Sequence, residues 1–260
     1  MRKLLSAYFS RLSKWTVFRL LIVAMFVICT GVGLLNRDQE LVWNFPYMLA
    51  YMIFPHYIGI VTGLFNYPLF TNGTIRNQIA VGHGRSQIYF ADWAASNTFA
   101  VILYLVSAGA MFGSAALFGS TDGVSGKAVV VGVLFSLLHI MLFTTITQLF
   151  CVMLKGVKSF LAIYLGNQGL LLLGLGVASL STFGLMTDKF NFLFPTSTAM
   201  ALNSFGIQMS GMALNGAEIT EPVTQLMDYS QMVLPFTAVI VEIALVYFIG
   251  LLYFRKTDIN

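Results

Sequence analysis

Six stretches of mostly apolar residues alternate with shorter polar ones along this 260-residue chain. A helix that crosses a bilayer needs about 20 predominantly apolar residues. The pattern predicts six such helices, over residues 16–35, 47–70, 94–118, 128–154, 160–183 and 232–254. Ahead of the first span, Leu4, Leu5, Tyr8, Phe9, Leu12 and Trp15 recur at helical spacing, with Arg2, Lys3, Arg11 and Lys14 between them. That is a basic amphipathic helix, an elbow over residues 1–15 suited to lie in the headgroup layer. Between the fifth and sixth spans, residues 184–231 are partly apolar but too polar for a seventh span. Pro195-Thr196-Ser197-Thr198 reads as a helix start there, so a helical cap or a re-entrant hairpin is expected. The fold class is all-α: a polytopic membrane protein forming one transmembrane domain over 1–260, with a short tail from 255.

Composition turns that pattern into a statement about solvent. Hydrophobic residues make up 58% of the chain and charged residues 9%, against about 25% charged in a soluble domain. So few charges cannot cover a water-facing surface, and the lipid bilayer is the expected environment. Charge also orients the spans. Eleven of the 14 Lys and Arg fall at the N-terminus, at Arg76 and Arg85, at Lys155 and Lys158, and at Arg255 and Lys256; Arg37, Lys127 and Lys189 fall on the other side. The positive-inside rule then places both termini and the loops near 71–92 and 155–158 in the cytoplasm. The formal sequon Asn72-Gly73-Thr74 is inert in that topology. Basic residues explained by topology give no indication of a nucleic-acid partner.

One polar island interrupts the apolar pattern: Thr71-Asn72-Gly73-Thr74-Ile75-Arg76-Asn77-Gln78-Ile79-Ala80-Val81-Gly82-His83-Gly84-Arg85. Residues 74–81 have helix-compatible composition, with Ile75 and Ile79 on one side and Asn72 or Thr74 available as a cap. Gly82 and Gly84 supply the freedom to turn. Arg85, Tyr89 and Trp93 follow at four-residue spacing and lead the third span into the bilayer. A short transverse helix that exposes Ile75, Arg76 and Gln78 would form a docking knob; a plain connecting loop is the alternative.

No catalytic machinery accompanies it. A Walker A loop needs G-x-x-x-x-G-K-[ST] to cradle phosphates, and Gly126-Lys127-Ala128 lacks both the spacing and the hydroxyl. His56, His83 and His139 lie in different elements, and neither H-E-x-x-H nor G-x-S-x-G occurs, so neither a metal nor an enzyme active site is expected. Cys29 and Cys151 sit in apolar stretches as buried free thiols. Asn167 and Gln168, within Gly166–Gly169, read as interhelical hydrogen-bonding groups. Glu242 is read as the one acid deep in a span. Its insertion costs about 2.5–3.5 kcal/mol, so it faces the bundle, as a packing carboxyl or as a pathway group.

The order of elements resembles the type-2 ABC transporter permease family: an amphipathic elbow, six spans, a coupling loop after the second, and a partly apolar outer segment before the sixth. The run Gly73-Thr74-Ile75-Arg76-Asn77-Gln78-Ile79, followed by Gly84-Arg85-Ser86-Gln87-Ile88-Tyr89, is similar to the coupling stretch of small bacterial permease subunits in lantibiotic immunity, bacitracin resistance and peptide export. Gln78 stands where many relatives carry a basic residue. The resemblance implies a permease of an exporter for a hydrophobic or amphipathic substrate such as an antimicrobial peptide or drug. It implies no cofactor in this chain, with ATP and Mg bound by a separate cytoplasmic ATPase subunit that docks on Thr74, Ile75, Arg76, Asn77, Gln78 and Ile79. It also implies a second permease copy, identical or homologous. Arg2, Lys3, Arg11, Lys14 and Trp15 would form the elbow. The alternatives are an ion- or proton-coupled carrier centred on Glu242 and a non-transporting sensor or scaffold.

Overall fold

The computed structural model describes residues 1–35, 46, 49–119, 126–154, 165–166, 169 and 233–256. Among them lie seven α-helices and no strand: α1 (Arg2–Lys14), α2 (Thr16–Leu35), α3 (Phe54–Thr71), α4 (Thr74–Ala80), α5 (Arg85–Phe118), α6 (Gly126–Leu154) and α7 (Val233–Lys256). Four of these helices contain stretches long and apolar enough to cross a membrane: Thr16–Leu35, Arg85–Phe118, Val129–Leu154 and Phe236–Lys256. That is consistent with a helical membrane protein. The outer segment over 184–231 lies outside the described residues, as does all of the expected fifth span apart from residues 165–166 and 169.

The expected second span is subdivided. A five-residue π-turn, Leu49–Ile53, precedes α3, and Pro55 falls in the first turn of α3, where its missing N–H costs nothing. Pro68 lies inside α3 and leaves the Leu64 carbonyl without its usual helical donor. Helix α3 is about 27 Å long, and its apolar stretch Tyr57–Phe70 is shorter than the four candidate spans.

Helix α5 is the centre. It begins at Arg85, nine residues ahead of the expected span, and runs 34 residues, about 51 Å. All six other α-helices pack on it. Its buried face is built of small side chains, including Ala91, Ala95, Ser96, Ala100, Ser107 and Ala108, which admit close helix approach. Gly33 of α2 uses that closeness: a methyl there would overlap the Ser114 hydroxyl and press on the Met111 carbonyl. Gly250 of α7 does the same, since a methyl there would overlap the Tyr89 hydroxyl. Helix α6 packs against α3, α5 and α7. Large apolar side chains on α2 (Leu20, Val23, Phe26, Val27) and on α7 (Val241, Leu245, Phe248, Leu252) point outward, where a bilayer is the solvent that suits them.

Gly250→Val is expected to lower thermal stability in detergent by about 1–3 kcal/mol, the usual cost of forcing extra methyl groups into a packed contact, with Gly109→Val near neutral because nothing lies within 4 Å of a Cβ at that position. Equal unfolding temperatures for the two variants would show that the α5–α7 approach is not tight.

Candidate functional site

The polar island folds as the short helix α4, held between α3 and α5. Neither Asn72 nor Thr74 caps it through a side chain. The cap position is Gly73, at φ 67°, a left-handed conformation that glycine adopts without strain. The other end closes as a Schellman turn: His83 N–H donates to the Gln78 carbonyl at 3.0 Å and Gly82 N–H to the Ile79 carbonyl at 2.9 Å, with Gly82 at φ 95°. The expected helix over 74–81 thus ends one residue earlier, and its glycines act at both ends.

The face that α4 presents differs from the expected one. Ile75 is only 2% exposed and joins the main hydrophobic core. Ile79 is half-buried beside that core, and Thr74 and Gln78 are also half-buried. The outward residues are Arg76, Asn77, Ala80 and Val81, the last 80% exposed. The reason is helical geometry: Ile75 and Ile79, one turn apart, share a stripe, and the bundle rather than a partner covers it. Ile75 and Gln78 are therefore anchoring residues of the knob, and Val81 is the apolar residue it offers.

Helix α1 also departs from expectation. Leu4, Tyr8 and Leu12, at i, i+4 and i+8, are buried in protein. The amphipathic stripe packs on α5 instead of lying toward lipid. Arg2, Lys3 and Lys14 are exposed, whereas Arg11 and Trp15 turn inward. The Tyr8 hydroxyl donates to Gln78 Oε1 at 3.3 Å. The Arg11 guanidinium donates to the Phe65 carbonyl and stacks over the Phe65 ring at 4.4 Å. Trp15 meets Phe65 and Phe99 at 5.4 and 6.1 Å between ring centroids. The elbow is a clamp joining α3, α4 and α5. Burial pushes the Tyr8 phenol well above its ordinary value, with the Asp92 carboxylate adding to the effect. Burial lowers the Arg11 guanidinium from its ordinary range.

The C-terminal end of α7 meets the same end of the bundle, where Arg85 donates to the Arg255 carbonyl at 3.0 Å. A cation on a late carbonyl of a helix is favourable. The N-terminal helix, the 72–84 connection and the end of α7 thus cluster together.

Glu242 is not the only acid within the helices that span the bundle. Placing the third span at 94 leaves Asp92 in a loop, but α5 carries it into the core at 5% exposure. Gln148 Nε2 donates to Asp92 Oδ2 at 3.1 Å and to the Tyr89 carbonyl at 3.2 Å. Nearby, Trp93 Nε1 donates to Thr145 Oγ1 at 2.9 Å. The available signal was the Arg85, Tyr89, Trp93 spacing, which continues the helix backward through Asp92. Glu242 itself is half-buried on α7, and its Oε2 has no hydrogen-bond partner among the described residues. Asn167 and Gln168 lie outside the described residues. No protein-family model matches the chain and no curated protein matches it.

The Tyr8 clamp has a pH signature. A phenol whose folded value is raised stabilises the folded state fully below its unfolded value of 10.0, and that contribution is lost as pH rises above it. Beyond its intrinsic base-catalysed rise, amide exchange in α1 should therefore accelerate as pH climbs above 10.0. Tyr8→Phe should remove that alkaline acceleration while costing about 0.5–1.5 kcal/mol of α1 docking near neutrality from the lost hydrogen bond. An identical pH profile in the variant would show that Tyr8 is not the group responsible.

Proposed function

We propose that this chain is the permease subunit of an ATP-binding cassette exporter. It moves a hydrophobic or amphipathic substrate, of the antimicrobial-peptide or drug class, out of the cell or the membrane. A separate cytoplasmic ATPase subunit, which binds ATP and Mg, supplies the driving force. The observation that carries this reading is the short helix α4 between α3 and α5. It is exposed along Arg76, Asn77, Ala80 and Val81, yet is rooted by Ile75 in the same core that holds α3 and α5. A knob exposed outside and seated in the core inside passes displacement to the helices on which it sits. The clamp from α1, through Tyr8 to α4 and Arg11 to α3, makes those parts one unit. In this reading the end bearing α1, α4 and the α7 terminus is cytoplasmic, in keeping with the positive-inside rule. A second permease copy, identical or homologous, completes the path. The resemblance of the Gly73–Ile79 and Gly84–Tyr89 stretches to coupling loops of that permease family supports the same assignment.

A secondary carrier centred on Glu242 has less support, because Glu242 stands apart from the described polar hydrogen bonds around Asp92.

The test uses the full chain purified with an ATPase encoded beside it. Arg76→Glu combined with Val81→Asp should reduce co-purification of the ATPase at least tenfold and abolish permease-stimulated hydrolysis, whereas Val81→Asp alone, at a position 80% exposed, should leave the unfolding temperature unchanged. Ile75→Asp should instead lower the unfolding temperature. Undiminished association in the Arg76/Val81 double variant would reject α4 as the coupling helix, and transport surviving ATP depletion but lost in Glu242→Gln would establish the carrier.

A further inference from the structure

Along the seam of α3, α5 and α6, several buried side-chain oxygens have no hydrogen-bond partner among the described residues. Asp92 on α5 is buried and receives one hydrogen bond from the Gln148 amide through Oδ2. Its Oδ1 has no hydrogen-bond partner among the described residues. The Gln148 amide gives its nitrogen to Asp92 and to the Tyr89 carbonyl, and its own Oε1 is likewise without a partner there. One turn along α5, Ser96 accepts from Asn66 Nδ2 of α3 at 3.4 Å, leaving Asn66 Oδ1 unmatched among the described residues. Thr62, one turn from Asn66 on α3, is buried with its hydroxyl unmatched in the same sense. Asp92, Gln148, Asn66 and Thr62 are each at least nine-tenths buried.

Buried polar atoms in folded proteins are almost always satisfied, so unmatched oxygens within a helical turn of one another along one seam call for an occupant. The unmatched atoms are all oxygens: a carboxylate, two amide carbonyl oxygens and a hydroxyl. Oxygen sets of this kind suit hard cations and not thiolate- or imidazole-preferring metals. The charge sets the valence. The set holds one carboxylate, and a single positive charge balances it. Arg11 attracts Asp92 through space, but its guanidinium is spent on the Phe65 carbonyl and ring.

We infer that the seam between α3, α5 and α6 binds a monovalent alkali cation, with Asp92 as its charged ligand and the Gln148 and Asn66 amide oxygens as neutral ones. Such an ion ties together three helices at the end of the bundle that carries α4 and the α1 clamp. The inference does not depend on the exporter reading, because its test needs neither an ATPase nor a substrate.

Thermal unfolding of the full chain in detergent tests it, with NaCl exchanged for choline chloride at constant ionic strength. The wild-type midpoint should rise by several degrees in Na+ and saturate with concentration, as expected for a ligand that binds only the folded state. Asp92→Asn, nearly identical in shape, should lose the shift. Should that variant fail to fold, Gln148→Met decides, because loss of a neutral ligand should raise the half-saturating Na+ at least tenfold. An equal shift from K+ supports the site as one for alkali cations generally. No saturable shift in the wild type, or an undiminished one in Asp92→Asn or Gln148→Met, overturns it.

Discussion

The close packing of α5 against every other described helix is what the structure depends on. A helix that must touch six neighbours cannot carry bulky side chains all round. Ala91, Ala95, Ala100 and Ala108 let backbones approach, and the glycines at 33 and 250 meet it from α2 and α7. In an apolar solvent no water-driven collapse holds helices together, so dispersion contacts and interhelical hydrogen bonds must do so. Larger residues fill the remaining spaces in defined orientations, as in the edge-on contact of Phe54 with Tyr104 at 5.7 Å. The outer helices follow from this arrangement. With their packing needs met along one stripe, α2 and α7 turn their other large apolar side chains outward.

The same constraint segregates polarity. The backbone is satisfied within each helix, and many buried hydroxyls donate back to their own helix, as Ser107 does to Leu103 and Thr144 to Ile140. The side chains that reach across helices concentrate at one end: Gln148 to Asp92, Asn66 to Ser96, Trp93 to Thr145 and Tyr8 to Gln78. That end also holds the transverse helix and the elbow. Position-specific hydrogen bonds fix orientation where sliding apolar contacts do not, so these side chains hold α1, α3, α4, α5 and α6 in a defined arrangement at that end.

Much of this was legible in advance. The limits of α2, Thr16–Leu35, coincide with the first expected span, because an apolar run bounded by charges has no other stable state in lipid. Helices α6 and α7 fall within two residues of their expected limits at either end. The transverse helix was visible from Gly73, Gly82 and Gly84 flanking a helix-forming run. The start of α5 was legible too: Arg85, Tyr89 and Trp93 at four-residue spacing belong with the third span, and Gly84 starts the helix there, with Gln87 Oε1 accepting the Gly84 N–H at 3.4 Å.

The order of helices, their apolar character and the basic clustering near the termini and the 71–85 connection are properties of local composition, and hydropathy and charge reach them residue by residue. Which substance covers each stripe is not such a property. Leu4, Tyr8 and Leu12 would be equally content against lipid tails or against α5, and Ile75 against a partner or against the core. Asp92 is equally polar in a loop or a helix. Only the tertiary arrangement decided these cases, because burial depends on which other surface arrives. That arrival depends on the packing of α5, to which residues far apart in the chain contribute.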